Sequence, residues 1–184
     1  MILVFDIDDT VVETHSQLSK ILTRRGIDVS HGQYLTSENT GGVLPELLDN
    51  PVCFMLNSQV ADGVVEILEW LTHVRGFEVA FCTHRGYHLD GRKLTEEFLE
   101  QEGIDFESLF VLDPAKHPCK IDFLDAVYGK GKYILIDDRP NFSNEYEPQE
   151  NLILRDRPWN QTVKARRFSS FHDLPNELSY VTDL

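Results

Sequence analysis

The chain opens on Ile2-Leu3-Val4-Phe5, and Ile7 extends this apolar run past a single interruption at Asp6. A continuous run of that length predicts a strand buried on both faces, with the functional residues at its carboxyl end. From residue 62 the pattern becomes regular. Val64, Ile67, Leu68, Leu71 and Val74 recur at helical spacing, with Asp62 as the expected N-cap and Gly76 as the stop. Residues 78–83 ("EVAFCT") read as a strand, and 92–102 as a helix with Leu94, Phe98 and Leu99 on one face, closed by Gly103. Further strands are predicted over 109–113, 133–138 and 151–155, with a helix over 120–129. Strands alternating with helices predict right-handed crossovers, hence an α/β fold built on a doubly wound parallel sheet.

Residues 15–57 break that rhythm. Leu18, Ile21 and Leu22 make a short helical pattern ending at Gly26, and a polar stretch follows with Ser37, Asn39, Thr40, Gly41 and Gly42. Residues 45–48 suggest another short helix, followed by the apolar "VCFML". This block reads as a small, mostly helical cap inserted after the first strand, leaving 1–14 and 58–184 as the core. No internal repeat or low-complexity tract is visible.

At 184 residues the chain is long enough to bury a real core as one domain. Its formal net charge of −14 argues against a surface built for duplex nucleic acid or acidic membranes. An anionic substrate then needs local help from a cation or a few placed Lys and Arg side chains. The opening apolar run is too short for a signal peptide or a membrane span. Cys53, Cys82 and Cys119 form no CxxC pair, and an odd number suits thiols in a reducing compartment, so the cytoplasm is expected.

Charge sharpens the reading of the first strand's end. Asp6, Asp8 and Asp9 place three carboxylates in four positions, and their repulsion grows where the dielectric is low. Stability alone does not select such a cluster; a cation or a reaction does. The second strand ends in Thr83-His84-Arg85, the fourth in Asp137-Asp138, and Lys120 opens the helix after the third. Taken singly, each has a plain structural reading: a turn aspartate, a strand-end hydroxyl, a surface lysine. In a parallel sheet, however, these termini share one edge, where ligands bind near the reversal of strand order. Mg²⁺ is suited to a pair of carboxylates completed by water and phosphate oxygens.

"DIDDT", "FCT", Lys120 and "LIDD" resemble, in order and spacing, the four signature motifs of the haloacid dehalogenase superfamily of phosphatases. The resemblance covers the chain apart from the cap and implies a Rossmann-type core. It implies Asp6 as a nucleophile that becomes phosphorylated, and Asp8 as the acid that protonates the leaving group and then activates water. It further implies Mg²⁺ held by Asp6, the backbone carbonyl of Asp8 and the Asp137/Asp138 pair, with Thr83 and Lys120 on the transferring phosphoryl oxygens. Lys116 competes for the lysine role; Lys120 is preferred because it begins an apolar-periodic helix.

Within that superfamily, "FMLNSQVADGVVEILEWL", "LIDDRP", "RDRPWN" and "FSSFHDL" are similar to the 5'(3')-deoxyribonucleotidase group. The likeness implies a nucleoside monophosphate as substrate, with cap aromatics facing the base. Phe54 and Tyr34 are the stacking candidates, Phe54 being equally a core residue. His84 and Arg85 are expected on the substrate side. A second reading is a polynucleotide 3'-phosphatase: "THR" is similar to that group's Ser-x-Arg motif, with Arg85 on a phosphate, and "RKLTEEFLE" resembles its helix. The charge of −14 weighs against a long polyanion. A third is a non-catalytic phosphate-binding module on the same fold. Cys82, His84, His88, His117 and Cys119 crowd two segments, but their spacing matches no standard zinc site. His15 and His31 read as surface or cap residues. The expected partner is a small phosphate monoester, with neither membrane nor extended nucleic acid.

Overall fold

In the computed structural model of the chain, the described residues are 1–29, 33–140 and 150–180, so His31 lies outside them. Six strands form one sheet: β1 (Ile2–Phe5), β2 (Glu78–Thr83), β3 (Ser108–Val111), β4 (Tyr133–Asp137), β5 (Leu152–Arg155) and β6 (Arg166–Phe168). All neighbours are parallel, in the order β3-β2-β1-β4-β5-β6. The chain winds one way from β1 to β3, then returns to the other side of β1. The strand order therefore reverses between β1 and β4.

Among the described residues, seven α-helices accompany the sheet: α1 (Thr14–Arg24), α2 (Val43–Asp49), α3 (Val52–Met55), α4 (Val64–Glu69), α5 (Gly91–Gln101), α6 (Lys120–Tyr128) and α7 (Leu174–Ser179). Leu3 and Phe5 of β1 join Phe81, Ile134, Ile136 and Ile153 on one face, packed with α4, α5 and α7. Val4 joins Ala80, Leu135 and Leu154 on the opposite face, under α6. β1 is thus covered on both sides, and for that reason it reads as an unbroken apolar run rather than an alternation.

Three local features depart from the sequence-based expectations. Asp62 does not cap α4; the cap position is Gly63, in the left-handed region at φ 77°, where a Cβ would lie 2.8 Å from the ring of His172. The helix then widens into π geometry over Trp70–Val74. β6, α7 and α3 lie outside the elements predicted from periodicity. β6 is three residues long and two of them are arginine, so it has no apolar period to detect.

Helices α1 to α3 build an apolar cluster of their own from Leu18, Leu22, Leu35, Leu47, Phe54 and Met55, closed by Leu94 of α5. The chain enters and leaves this helical segment through two adjacent stems. Glu13 N–H donates to Gln59 O and Ala61 N–H to Val11 O, each at 2.9 Å. Among the described residues, no helix is long and apolar enough to cross a membrane.

Candidate active site

Asp6 extends the β1 ladder by one residue, its N–H donating to Ile136 O at 2.8 Å. The chain then turns sharply, because Ile7 O accepts from the N–H groups of both Val11 and Val12, at 2.9 and 3.0 Å. Inside the turn Asp9 adopts φ 60°, a left-handed conformation that Asp tolerates when its side chain bonds locally. Here Asp9 Oδ1 accepts from His15 N–H, 2.7 Å away, at the start of α1. Two arginines at the end of β5 and just beyond it hold the same turn: Arg155 Nη1 donates to Thr10 O (2.6 Å) and Arg157 Nε to Asp9 O (2.9 Å), and both pair with Glu13.

Above this edge lies a cavity of about 330 Å³, whose floor includes Asp6, Asp8, Thr83, Lys120 and Asp138. Lys120, the first residue of α6, is buried. Its Nζ lies 2.6 Å from Asp6 Oδ1 and 2.8 Å from Asp137 Oδ2. Burial alone would lower its proton affinity, but the carboxylates of Asp137 and Asp6 raise it above the ordinary lysine value. Lys116 is exposed and pairs with Asp113 at 3.2 Å, away from the cavity.

Asp6, Asp137 and Asp138 bring carboxylate oxygens within 4.8 Å of one another, and all three are buried. Burial pushes the Asp6 carboxyl up to about 7 against the pull of Lys120, while Asp137 and Asp8 push the same way as burial. Burial and the neighbouring Asp137 and Asp6 likewise hold Asp138 well above the usual carboxylate range. One ammonium does not balance three buried carboxylates, and an all-oxygen donor set fits a hard divalent cation such as Mg²⁺. The zinc-type residues offer less. Cys82 is buried in β2 with its thiol pushed up to about 12 by burial, which opposes the thiolate that zinc needs. His84 lines the cavity with Nε2 2.8 Å from His117 O.

Asp8 accepts a bidentate pair from Arg85, Nε to Oδ2 at 2.8 Å and Nη2 to Oδ1 at 2.7 Å, plus the Thr14 hydroxyl at 2.6 Å. Burial would raise the Asp8 carboxyl, but the Arg85 charge and hydrogen bonds, with Thr14, outweigh it and hold the carboxyl below its ordinary value. Arg85 was expected to touch substrate. Instead it is fully buried, stands over the Phe98 ring at 5.9 Å and does not line the cavity. The backbone of the same loop is packed tightly: a Cβ at Gly91 would lie 2.0 Å from Arg85 O, so the start of α5 passes that loop only as glycine.

Thr83 ends β2 with its hydroxyl buried in the cavity floor and without a hydrogen-bond partner among the described residues. Phe54 and Tyr34 both line the cavity from the helical segment; Phe54 is 2 % exposed and belongs to that segment's core, whereas Tyr34 is 41 % exposed. Sequence reasoning did not single out the residues after β5. Trp159 Nε1 donates to Asp138 Oδ2 at 2.8 Å, and Asn160 Nδ2 donates to Asp138 O at 2.7 Å. The signal for them in the sequence is that "RDRPWN" runs on from the end of a strand at the same sheet edge.

No family model and no curated protein sequence matches the chain. Solved structures do. A haloacid dehalogenase-like hydrolase from Streptococcus pneumoniae superposes with a TM-score of 0.60 at 12% identity, covering 98% of both chains. The fold is that of the haloacid dehalogenase-like hydrolases. A hydrolase of the same type from Bacillus subtilis, solved with bound magnesium, gives a TM-score of 0.58 at 14% identity, over 97% of this chain and 98% of that one. A predicted phosphoglycolate phosphatase from Haemophilus somnus gives 0.57 at 15% identity, over 95% of this chain and 96% of that one.

Proposed function

We propose that the protein is a Mg²⁺-dependent phosphomonoesterase working through phosphorylated Asp6, and that its substrates are nucleoside or deoxynucleoside 5'- or 3'-monophosphates. The observation that carries this reading is the Lys120 bridge between Asp6 and Asp137, set beside a buried Thr83 hydroxyl that has no partner among the described residues. That arrangement supplies a carboxylate, a cation and a hydroxyl donor around one point, as phosphoryl transfer requires. The magnesium in the Bacillus structure and the phosphatase among the neighbours support it further.

Asp6 and the Asp137/Asp138 pair would hold the ion, with the carbonyl of Asp8 completing the set. Bound there, it would offset the negative charge of the carboxylates and of the phosphate. Asp6 Oδ attacks phosphorus; the new O–P bond forms as the ester P–O bond breaks. Thr83 and Lys120 donate to the phosphoryl oxygens during transfer. Asp8 gives its proton to the leaving oxygen, then takes one from the water that attacks phosphorus and releases Asp6. The Arg85 clamp keeps Asp8 charged in the free protein, and the arriving phosphate dianion favours its protonated form.

The helical segment 15–57 acts as the cap. A cavity of about 330 Å³, with Tyr34 and Phe54 on its cap side, suits one base and one phosphate better than a polymer. Three cysteines without a disulfide among the described residues fit a cytoplasmic protein. The test is kcat/KM with Mg²⁺ across mononucleotides, sugar phosphates and a 3'-phosphorylated oligonucleotide at fixed salt. Mononucleotides are expected to lead the sugar phosphates by at least tenfold, about 1.4 kcal/mol. An oligonucleotide lead of that size replaces the reading with nucleic-acid end processing. Phosphate binding without turnover replaces it with a binding module.

A further inference from the structure

Two groups orient the carboxylates of the Asp137/Asp138 pair from behind. The Trp159 indole N–H donates to Asp138 Oδ2 at 2.8 Å, and the backbone N–H of Arg139 donates to Asp137 Oδ1 at 2.9 Å. Neither Trp159 nor this backbone group belongs to the reacting set. Both residues are in contact with one ring from the helical segment. Tyr34 lies 5.9 Å from Trp159, edge-on at 75°, and the Arg139 guanidinium stands 4.5 Å from the centre of the same Tyr34 ring. Arg139 Nη1 also donates to the Tyr34 hydroxyl at 3.2 Å. His15, at the start of α1, stacks on Trp159 from the same segment, with centroids 4.9 Å apart.

The backbone that presents Tyr34 is itself pinned. Tyr34 O accepts from Asn39 Nδ2 at 2.8 Å, while Thr36 N–H donates to Asn39 Oδ1 and Asn39 N–H to Thr36 Oγ1. Leu35, the next residue, is buried in the segment's apolar cluster, so a movement of the segment carries the Tyr34 ring with it, and that ring touches both residues that orient the carboxylate pair.

The geometry points to Trp159 as a positioning residue that links metal affinity to the seating of the helical segment. The inference rests on the metal reading given under Proposed function. Groups that hydrogen-bond a metal-binding carboxylate fix its direction and commonly change metal affinity by about 10–100-fold when lost. If seating the segment favours the ion, the ion must favour the seated segment by the same factor.

The test is Mn²⁺ binding to the whole chain, without substrate, followed by electron paramagnetic resonance and calorimetry. Trp159→Phe retains an aromatic ring against His15 and Tyr34 but deletes the N–H donor; Mn²⁺ is expected to bind about 10-fold weaker or worse. Tyr34→Leu touches no carboxylate and alters a half-exposed residue; binding about 5-fold weaker is expected. Mn²⁺ affinity unchanged in Trp159→Phe overturns the positioning role. Affinity unchanged in Tyr34→Leu overturns the link to the segment, and this variant decides alone if Trp159→Phe does not fold. Asp138→Asn is the control that separates the two readings. If it too binds Mn²⁺ like the parent chain, the metal reading falls and this inference with it.

Discussion

The sheet edge and the helical segment above it are built on opposite principles. At the edge, Asp6, Lys120, Asp137 and Asp138 are buried charged groups with little freedom, each facing another ionised side chain or a placed donor. The segment holds together through one small apolar cluster around Leu22 and Met55, leans on the core at Leu94, and leaves Tyr34 partly in solvent. Burial makes charge expensive, so the edge tolerates few substitutions and concentrates electrostatic work. A modest apolar cluster opens at lower cost than a sheet core, as the proposed cap role of the segment would need. Under the proposed function, chemistry falls on the tightly buried edge and selectivity on the segment with the smaller core.

The division breaks most visibly at Asp6. Asp6→Asn is expected to lower turnover on the order of 10⁴-fold or more and to abolish any acid-stable phosphoprotein trapped with labelled substrate. Its thermal midpoint in chelator should equal or exceed that of the parent, because a repelling carboxylate is gone while Lys120 keeps Asp137. Residual turnover near the parent rate would move the nucleophile elsewhere.

A substitution on the cap side should act on selectivity instead. Phe54→Leu is expected to reduce kcat/KM for mononucleotides about tenfold, or about 1.4 kcal/mol. Hydrolysis of a small aryl phosphate, which needs no base contact, should change by less than about twofold. Equal losses on both substrates would make Phe54 a packing residue only, as its 2 % exposure and place in the segment's core also allow.

The smallest effect concerns pH. Burial raises the carboxyls of Asp6 and Asp9 to about 7 in the folded protein, against ordinary unfolded values near 4. Between those values the folded state binds more protons than the unfolded one, so metal-free stability falls as pH rises from about 4 to 7. Asp8 shifts the other way and acts below that window. The expected outcome in chelator is a thermal midpoint several degrees lower at pH 7.5 than at pH 5, roughly the shift that 1–2 kcal/mol produces. Asp9→Asn should flatten part of that slope, and added Mg²⁺ should restore stability at the higher pH. A midpoint that rises with pH in chelator would contradict both buried carboxyls.

Much of the core was legible because its elements carry long-lived periodic signals. β1 is apolar throughout because both faces are covered, and α5 shows Leu94, Phe98 and Leu99 at helical spacing because Phe98 and Leu99 pack on the sheet while Leu94 meets the helical segment. The interruption at Asp6 stood out for the same reason: a charge inside a buried run has to be explained by something other than folding. β6 gave no such signal. Arg166 and Arg167 become strand residues through pairing with Ile153 and Leu154, and Arg167 is then held by Asp156 and Val163 O.

The sequence by itself determined five of the six strands, the three longer core helices and their alternation, and the convergence of acidic, hydroxyl and ammonium groups on one edge, since these follow from periodicity and from the geometry of a parallel sheet. Only the tertiary structure decided what each polar group faces. By sequence Arg85 reads as a substrate contact because it follows a strand end; in the fold it is fully buried and clamps Asp8 instead. Trp159 lies 21 residues after Asp138, and no local pattern announces that its indole N–H will reach that carboxylate. Hydrophobic periodicity is a property of neighbours along the chain. Partnership between buried polar groups depends on distances across it, and those exist only once the sheet and its loops have closed.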